Sequence, residues 1–366
     1  MAEYDDRDRF IPYCKSEIVE MICKDDSMAA GERGQFKEFC TILQSLYHFN
    51  FHEKVEFLKD NYFPFNPDKD TKTTRKYSPE DLETCEKNLV EKFNEVLNDA
   101  NYEAITEEDL QHAMEEESLF HVSLFVDFDD FASYLLYRRG EVVKKETIKK
   151  MFFWKKEIEV PTYERVAMLI KFKDEEYFKE KKRKIMFKPG TMLIKLFKNI
   201  PKADMEMLFP NTQVRMKLKD KLMMGIPALG GGIGVLLKTA GGLIAFATVL
   251  MTMITTLDFN MEAIQKQMPQ IIGGLTALGV LAGFLFKQWT KFKNRKIQFM
   301  KMLGDNLYFK NLDNNVGVFH QLIDSAEEEE CKEAILGYYF LLKAKEGLSE
   351  PDLDDTIEEW FEKTHN

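Results

Sequence analysis

The chain has 366 residues, 45% of them hydrophobic and 31% charged, with a net charge of −11. That size and composition exclude a disordered tail or a mini-protein and leave enough apolar residues for a large core. The charge is uneven, with 20 basic and 34 acidic residues over 1–150, 26 and 12 over 151–301, and 5 and 16 over 302–366, so the acidic total hides a basic middle.

Met1 to Phe10 holds four acids and no apolar run, which fits neither a secretory signal nor an acid-poor transit peptide. Cys14, Cys23, Cys40, Cys85 and Cys331 lie far apart and read as reduced thiols rather than a disulfide framework. Residues 1–118 read as a helical N-terminal region. Gly34 to Asp60 places Phe36, Phe39, Cys40, Leu43, Leu46, Tyr47, Val55 and Leu58 mostly three or four apart, the spacing of one helix face. Pro64 and Pro67 follow it. Ser78, Pro79 and Asp81 then predict a capped helix to about Asn98, and Thr106 with Asp109 starts a short helix ending near Glu117.

Residues 119–221 read as a small α+β region, with strand-like runs at Val122–Phe128, Thr147–Trp154, Arg165–Phe172 and Thr191–Phe197. Asp174–Lys184 is too charged for a core and reads as an exposed helix or loop. Residues 222–238 form a Gly-rich membrane-proximal segment, and 239–289 a transmembrane hairpin. Its spans, Thr239–Leu257 and Gln267–Phe286, are nineteen and twenty residues without a charge, about 28 to 30 Å of helix each, which matches the bilayer core. Pro269 falls where a first-turn proline costs little. Leu222–Leu237 as a third span is the rival; its glycines and Pro227 weaken it. Residues 290–366 read as a helical tail. The fold class is therefore α+β with a two-span transmembrane hairpin.

Basic residues flank the hairpin: Arg215, Lys217, Lys219, Lys221 and Lys238 before it, and Lys287, Lys291, Lys293, Arg295, Lys296 and Lys301 after it. Both ends are expected on the positive-inside face. The bilayer and its anionic headgroups are the expected partners of these side chains, each contributing about 1 kcal/mol. Gly241 and Gly242 in the first span and Gly279 and Gly283 in the second allow close helix approach. They serve either the hairpin's own packing, which is favoured, or a homo-oligomer contact.

Catalytic chemistry finds no constellation. Gly230–Thr239 has Leu237 before its lysine, where a phosphate loop needs glycine. His48 and His52 stand four apart with Glu53, but not in the order of a zinc-protease helix. His320, Asp324 and Glu327 or Glu328 share a helical stripe without the repeated Glu-x-x-His of a di-metal bundle, and read as a solvated acidic face. No metal, no cofactor, no catalytic residue and no nucleic-acid partner is expected.

Several stretches resemble the transmembrane protein 143-like family: Arg9-Phe-Ile-Pro12, the Phe36–Asp60 helix, Tyr62-Phe-Pro-Phe-Asn-Pro-Asp68, Tyr137-Arg-Arg-Gly140, Tyr163-Glu-Arg165, Leu196–Pro201, Asp204–Pro210, Asp220–Leu222, Leu307–Asn315 and Ala326–Leu342. The resemblance implies a paired transmembrane hairpin and a mitochondrial membrane, and supplies no activity; relatives continue beyond the segment ending at Trp360. Read from the residues, Tyr-Arg-Arg-Gly and Phe-Lys-Asn-Ile-Pro are fold-maintaining turns and strand ends, with Arg138 and Arg139 as the alternative anion binders. The expected function is a membrane-anchored docking or tethering module for an unknown protein partner. An oligomeric channel or transporter subunit is the second reading, and an enzyme acting on a membrane-bound substrate the third.

Overall fold

In a computed structural model, the described residues are 10–25, 28–29, 31–115, 123–150, 154–181, 187–215, 237, 239–252, 254, 261–344 and 346–365. They divide into two units: residues 1–116, 127–205 and 309–366 form the first, and 117–126 with 206–308 the second. The first unit is thus assembled from chain on both sides of the second.

Local chemistry sets the helices of the first unit. After α1 (Lys15–Lys24) and α2 (Glu32–Tyr62), Ser78 and Asp81 close a reciprocal capping box on α3 (Pro79–Asp99), with Pro79 in its first turn. Thr106 and Asp109 exchange the same bonds at 3.0 and 3.1 Å ahead of α4 (Glu107–Glu115). The capping hydroxyls satisfy amides that a helix start otherwise leaves unpaired.

The sheet of this unit is antiparallel, in the order β1 (Glu103–Ala104), β3 (Phe131–Lys150), β4 (Trp154–Phe172), β5 (Met192–Pro201), β7 (Asn311–Asn314). Val166 to Ile170 in β4 are all buried, so the strand is covered on both faces and reads as a continuous apolar run rather than an alternation. Ala167 and Leu169 with Met192, Ile194 and Leu196 face the apolar sides of α2, α3 and α8 (Val316–Lys343). A second cluster joins α1, the start of α2 and the end of α8, against Leu353, Ile357, Trp360 and Phe361 of α9 (Glu350–His365). α8 therefore belongs to both cores.

The strand within the tail, β7, was not expected, and neither was the length of the β3–β4 hairpin. Thr147–Trp154, predicted as one strand, instead contains the end of β3 and the start of β4. Gly140, predicted as a turn, lies within β3 at φ +69°, where a Cβ would come 2.6 Å from Glu164 Oε2. On the other side of Glu164 stands Asn199 of β5, at φ 54°. Two left-handed residues at one level of the strands on either side of β4 mark a bend across the sheet. Val122–Phe128 contains only β2 (Ser123–Phe125) as strand, and β2 pairs with β6 (Gln213–Arg215). The Asp174–Lys184 stretch holds the short helix α5 (Glu175–Glu180), capped by Asp174.

The transmembrane hairpin needs correction. One described helix is long and apolar enough to cross a membrane, α7 (Met261–Lys310), over Met268–Lys291. The first predicted span is described as α6 (Thr239–Thr252), and residues 253 and 255–257 of that span lie outside the described residues. Thr248 and Thr252 bond back onto carbonyls of the preceding turn, a contact that weakens and bends a helix. Pro269 is inside α7, not in its first turn. Of the Gly-rich segment 222–238, only residue 237 lies among the described residues.

Candidate membrane segment

α7 is apolar over Met268–Lys291 and yet largely exposed there, unlike the core helix of a water-soluble protein. Ile272, Leu275, Leu278, Val280, Leu285 and Phe286 are all exposed, the last at 71%. Contiguous apolar surface of this kind calls for a cover. At the C-terminal end of the Met268–Lys291 stretch the surface changes to Lys287, Lys291 and Lys293, all exposed, and Lys293 Nζ lies 5.7 Å from the Trp289 ring. An indole beside lysines at the end of an apolar helix is the composition of a membrane–water interface. Arg295 and Lys296 continue the same helix. Of the basic residues predicted before the hairpin, Arg215 ends β6, opposite Ser123, and Lys217, Lys219 and Lys221 lie outside the described residues.

α6 packs against α7 through glycine, but mostly not through the predicted glycines. A Cβ on Gly242 would meet Gly273 O at 3.1 Å and Ala277 Cβ at 3.2 Å, and one on Gly274 would overlap Phe246. Gly241, Gly279 and Gly283 have nothing within 4 Å. The signal for the contact is Gly273-Gly274-x-x-Ala277, a small-residue cluster that begins six residues before the Gly279-x-x-x-Gly283 motif.

Polar candidates elsewhere are engaged in holding the first unit together. Arg138 donates to Glu103 at 3.1 Å and Glu141 at 2.7 Å and lies over Tyr163. Arg139 donates to Ala100 O at 3.4 Å and stacks on Phe10 and Tyr102. His48 Nδ1 is 2.9 Å from Glu327 Oε2, and His52 is exposed. Among the described residues no group of three or more His, Cys, Asp or Glu side chains gathers as a metal site. A groove of about 630 Å³ between α2 and α3 is lined by Lys54, Glu91, Lys92 and Glu95, and its charges pair internally, Lys54 with Asp99 at 2.7 Å and Glu95 at 3.0 Å. Burial pulls the Lys54 ammonium down, yet these carboxylates outweigh it and hold its pKa above the ordinary lysine value.

Two polar nodes escaped the sequence. Asn315, buried at φ 52°, accepts from Tyr62 Oη at 2.8 Å and from the Ile194 amide at 3.1 Å, and donates to Asp68. It thereby joins the end of α2, β5 and the start of α8. On the stripe expected to be solvated His320 and Asp324 are exposed, but beside it α8 buries Glu329 and Lys332 as a pair at 2.9 Å. The Ile11 backbone completes it, its amide donating to Glu329 at 3.2 Å and its carbonyl accepting from Lys332 at 2.8 Å. The short stretches Ile11, Tyr62–Asp68, Asn315 and Glu329–Lys332, far apart in sequence, meet pairwise.

No solved structure matches the chain. Residues 163–317, from β4 through α7 to the first residues of α8, match a family described as a protein of unknown function, DUF3754.

Proposed function

We propose that the chain is an integral membrane protein in which α7 crosses the bilayer and the first unit acts as a docking or tethering module on one membrane face, with no catalytic site. The observation that carries this reading is the exposed apolar surface of α7 ending in Trp289 and lysines, since bilayer lipid covers such a surface where water would not. The interleaved first unit supports a topology: chain that leaves it before residue 206 rejoins it at 309. If α7 crosses once, a second crossing falls within residues 206–260, with α6 part of it. Both termini then share the lysine-rich, positive-inside face, and the basic side chains flanking the spans meet anionic headgroups. A mitochondrial membrane is proposed on the resemblance to the transmembrane protein 143-like family alone.

Alkaline carbonate extraction of membranes carrying the full chain, tagged at both ends, tests the reading. Retention in the pellet, with both tags cut by protease from the same side, is the expected result. Release into the supernatant overturns the crossing, and tags on opposite sides overturn the topology. The second reading, an oligomeric channel or transporter subunit, draws on the open space at Gly279 and Gly283, which leaves a close-approach face for another copy. The mass of the protein in nanodiscs separates the two: four or more copies favour the channel, and a monomer removes it.

A further inference from the structure

Three of the short stretches singled out in the sequence, Tyr137-Arg-Arg-Gly140, Tyr163-Glu-Arg165 and Leu196–Pro201, lie on neighbouring strands, and the register lines up one cation from each. Arg139 of β3 is directly opposite Arg165 of β4, and Arg165 is directly opposite Lys198 of β5. At about 4.8 Å between strands, the three form a row roughly 10 Å long across the sheet. Two residues along each strand, Tyr137, Ala167 and Leu196 belong to the core that faces α2, α3 and α8. Side chains two apart share a face of a sheet, so the row is the next level of that face, and all three of its residues are half-buried.

The charge of this row is not balanced from within. Beside it, Arg138 pairs with Glu103 and Glu141, and Lys202 with Glu141. Among the described residues Arg139, Arg165 and Lys198 form no ion pair. The two arginines donate instead to backbone carbonyls, Arg139 to Ala100 O at 3.4 Å and Arg165 to Glu164 O at 3.1 Å. Such a contact uses one of the five donors of a guanidinium and leaves its charge standing. Like charges directly opposed destabilise a strand pair, so the row carries a local cost that an external anion offsets. The rings of Phe10 and Tyr102 lie 5.5 and 5.2 Å from the Arg139 guanidinium and orient its planar group. Tyr102 senses both arginines: burial pushes its hydroxyl pKa up, and the charges of Arg139 and Arg165 pull against that rise.

We infer that Arg139, Arg165 and Lys198 bind a phosphate group, with the two guanidinium forks on its oxygens and the Lys198 ammonium as the third charge. Phosphate fits the row better than carboxylate does. A phosphate ester brings a charge of about −1.5 to −2 and three acceptor oxygens, whereas a carboxylate brings one charge and two oxygens, and the planar fork of arginine matches phosphate geometry. The ligand is a soluble phosphate compound or a lipid whose headgroup ends in a phosphate. The row is built entirely from the first unit and does not depend on α7 crossing a membrane.

The test uses the full chain in phosphatidylcholine nanodiscs, titrated in a calorimeter with diphosphate at constant ionic strength and with acetate as the control anion. Expected is saturable binding of diphosphate and none of acetate. Arg165→Gln and Lys198→Gln each weaken it by about tenfold or more, and together by about 100-fold. Without added anion the double variant melts at or above the temperature of the parent, because opposed like charges have been removed. Added vesicles containing phosphatidic acid separate the two sources. Recovery of the discs with the vesicles, competed by diphosphate, assigns a lipid headgroup, and diphosphate binding without recovery assigns a soluble phosphate compound. The inference is overturned by a parent that binds neither diphosphate nor phosphatidic acid, by equal binding of acetate, or by full binding in the double variant. A double variant that melts well below the parent also overturns it, since the row then serves the fold. Carbonate release of the chain, which would sink the α7 reading, leaves these readouts intact.

Discussion

α7 and α8 are neighbours in the chain, separated by the four residues of β7 and Asn315, and they treat side chains in opposite ways. α7 leaves Ile272, Leu275, Leu285 and Phe286 exposed, whereas α8 hides a glutamate and a lysine at 4% and 3% exposure. Burying a charge costs several kcal/mol unless it is paired and hydrogen-bonded, and Glu329 and Lys332 meet that condition through each other and the Ile11 backbone. Exposing a run of large apolar side chains forfeits about 25 cal/mol for every Å² left in water. The contrast teaches that the helices face different surroundings: α8 is solvated by protein, and α7 is shaped for a solvent that is not water.

The largest effect is expected from breaking α8. Lys332→Met leaves Glu329 as an unpaired buried charge and removes the donor to Ile11 O, a loss of about 3–5 kcal/mol in thermal unfolding. Adding Glu329→Gln recovers much of that loss, because it removes the stranded charge. A single variant that melts with the parent would mean that water reaches the pair. The next effect turns on what surrounds α7. Leu278→Lys, at an exposed position near the middle of Met268–Lys291, costs about 2.5–3.5 kcal/mol if bilayer surrounds it and no more than about 0.5 kcal/mol if water does. Carbonate resistance of the variant, compared with the parent, reads the difference. Full retention of both membrane attachment and stability would remove the contrast between the two helices.

How much of this was legible depended on the range of the interaction. Ser78 with Asp81 and Thr106 with Asp109 act over three residues, and the sequence pattern located both helix starts. The apolar second span was legible because uncharged length is itself the signal. The first span is described over Thr239–Thr252 and at residue 254, and its predicted end at Leu257 lies outside the described residues. The burial of Glu329 and Lys332 was not legible because their partner, Ile11, is more than three hundred residues away. Asn315 closes the Leu307–Asn315 stretch in sequence, and nothing local reveals that Tyr62 and Ile194 converge on its amide. Gly140 looked like a turn because glycine is the usual turn residue; its positive φ serves a bend inside a strand.

The smallest expected effect sharpens the picture of α7 from within. Gly274→Ala places a methyl group against Phe246 Cβ and Cγ, which cannot rotate away as the end of a long side chain could, so an overpacking cost of about 1–3 kcal/mol is expected. Gly279→Ala enters open space and replaces the poorest helix former but proline with the best, so it is expected to be neutral or mildly stabilising, within about 1 kcal/mol. Disulfide trapping between cysteines placed at Gly242 and Ala277, where a Cβ on Gly242 comes 3.2 Å from that of Ala277, follows the α6–α7 contact directly: Gly274→Ala slows it and Gly279→Ala leaves it unchanged. If Gly279→Ala instead lowers the particle mass in nanodiscs while trapping is unaffected, the face carrying Gly279 is occupied by a second copy, and the open side of α7 is divided between protein and lipid.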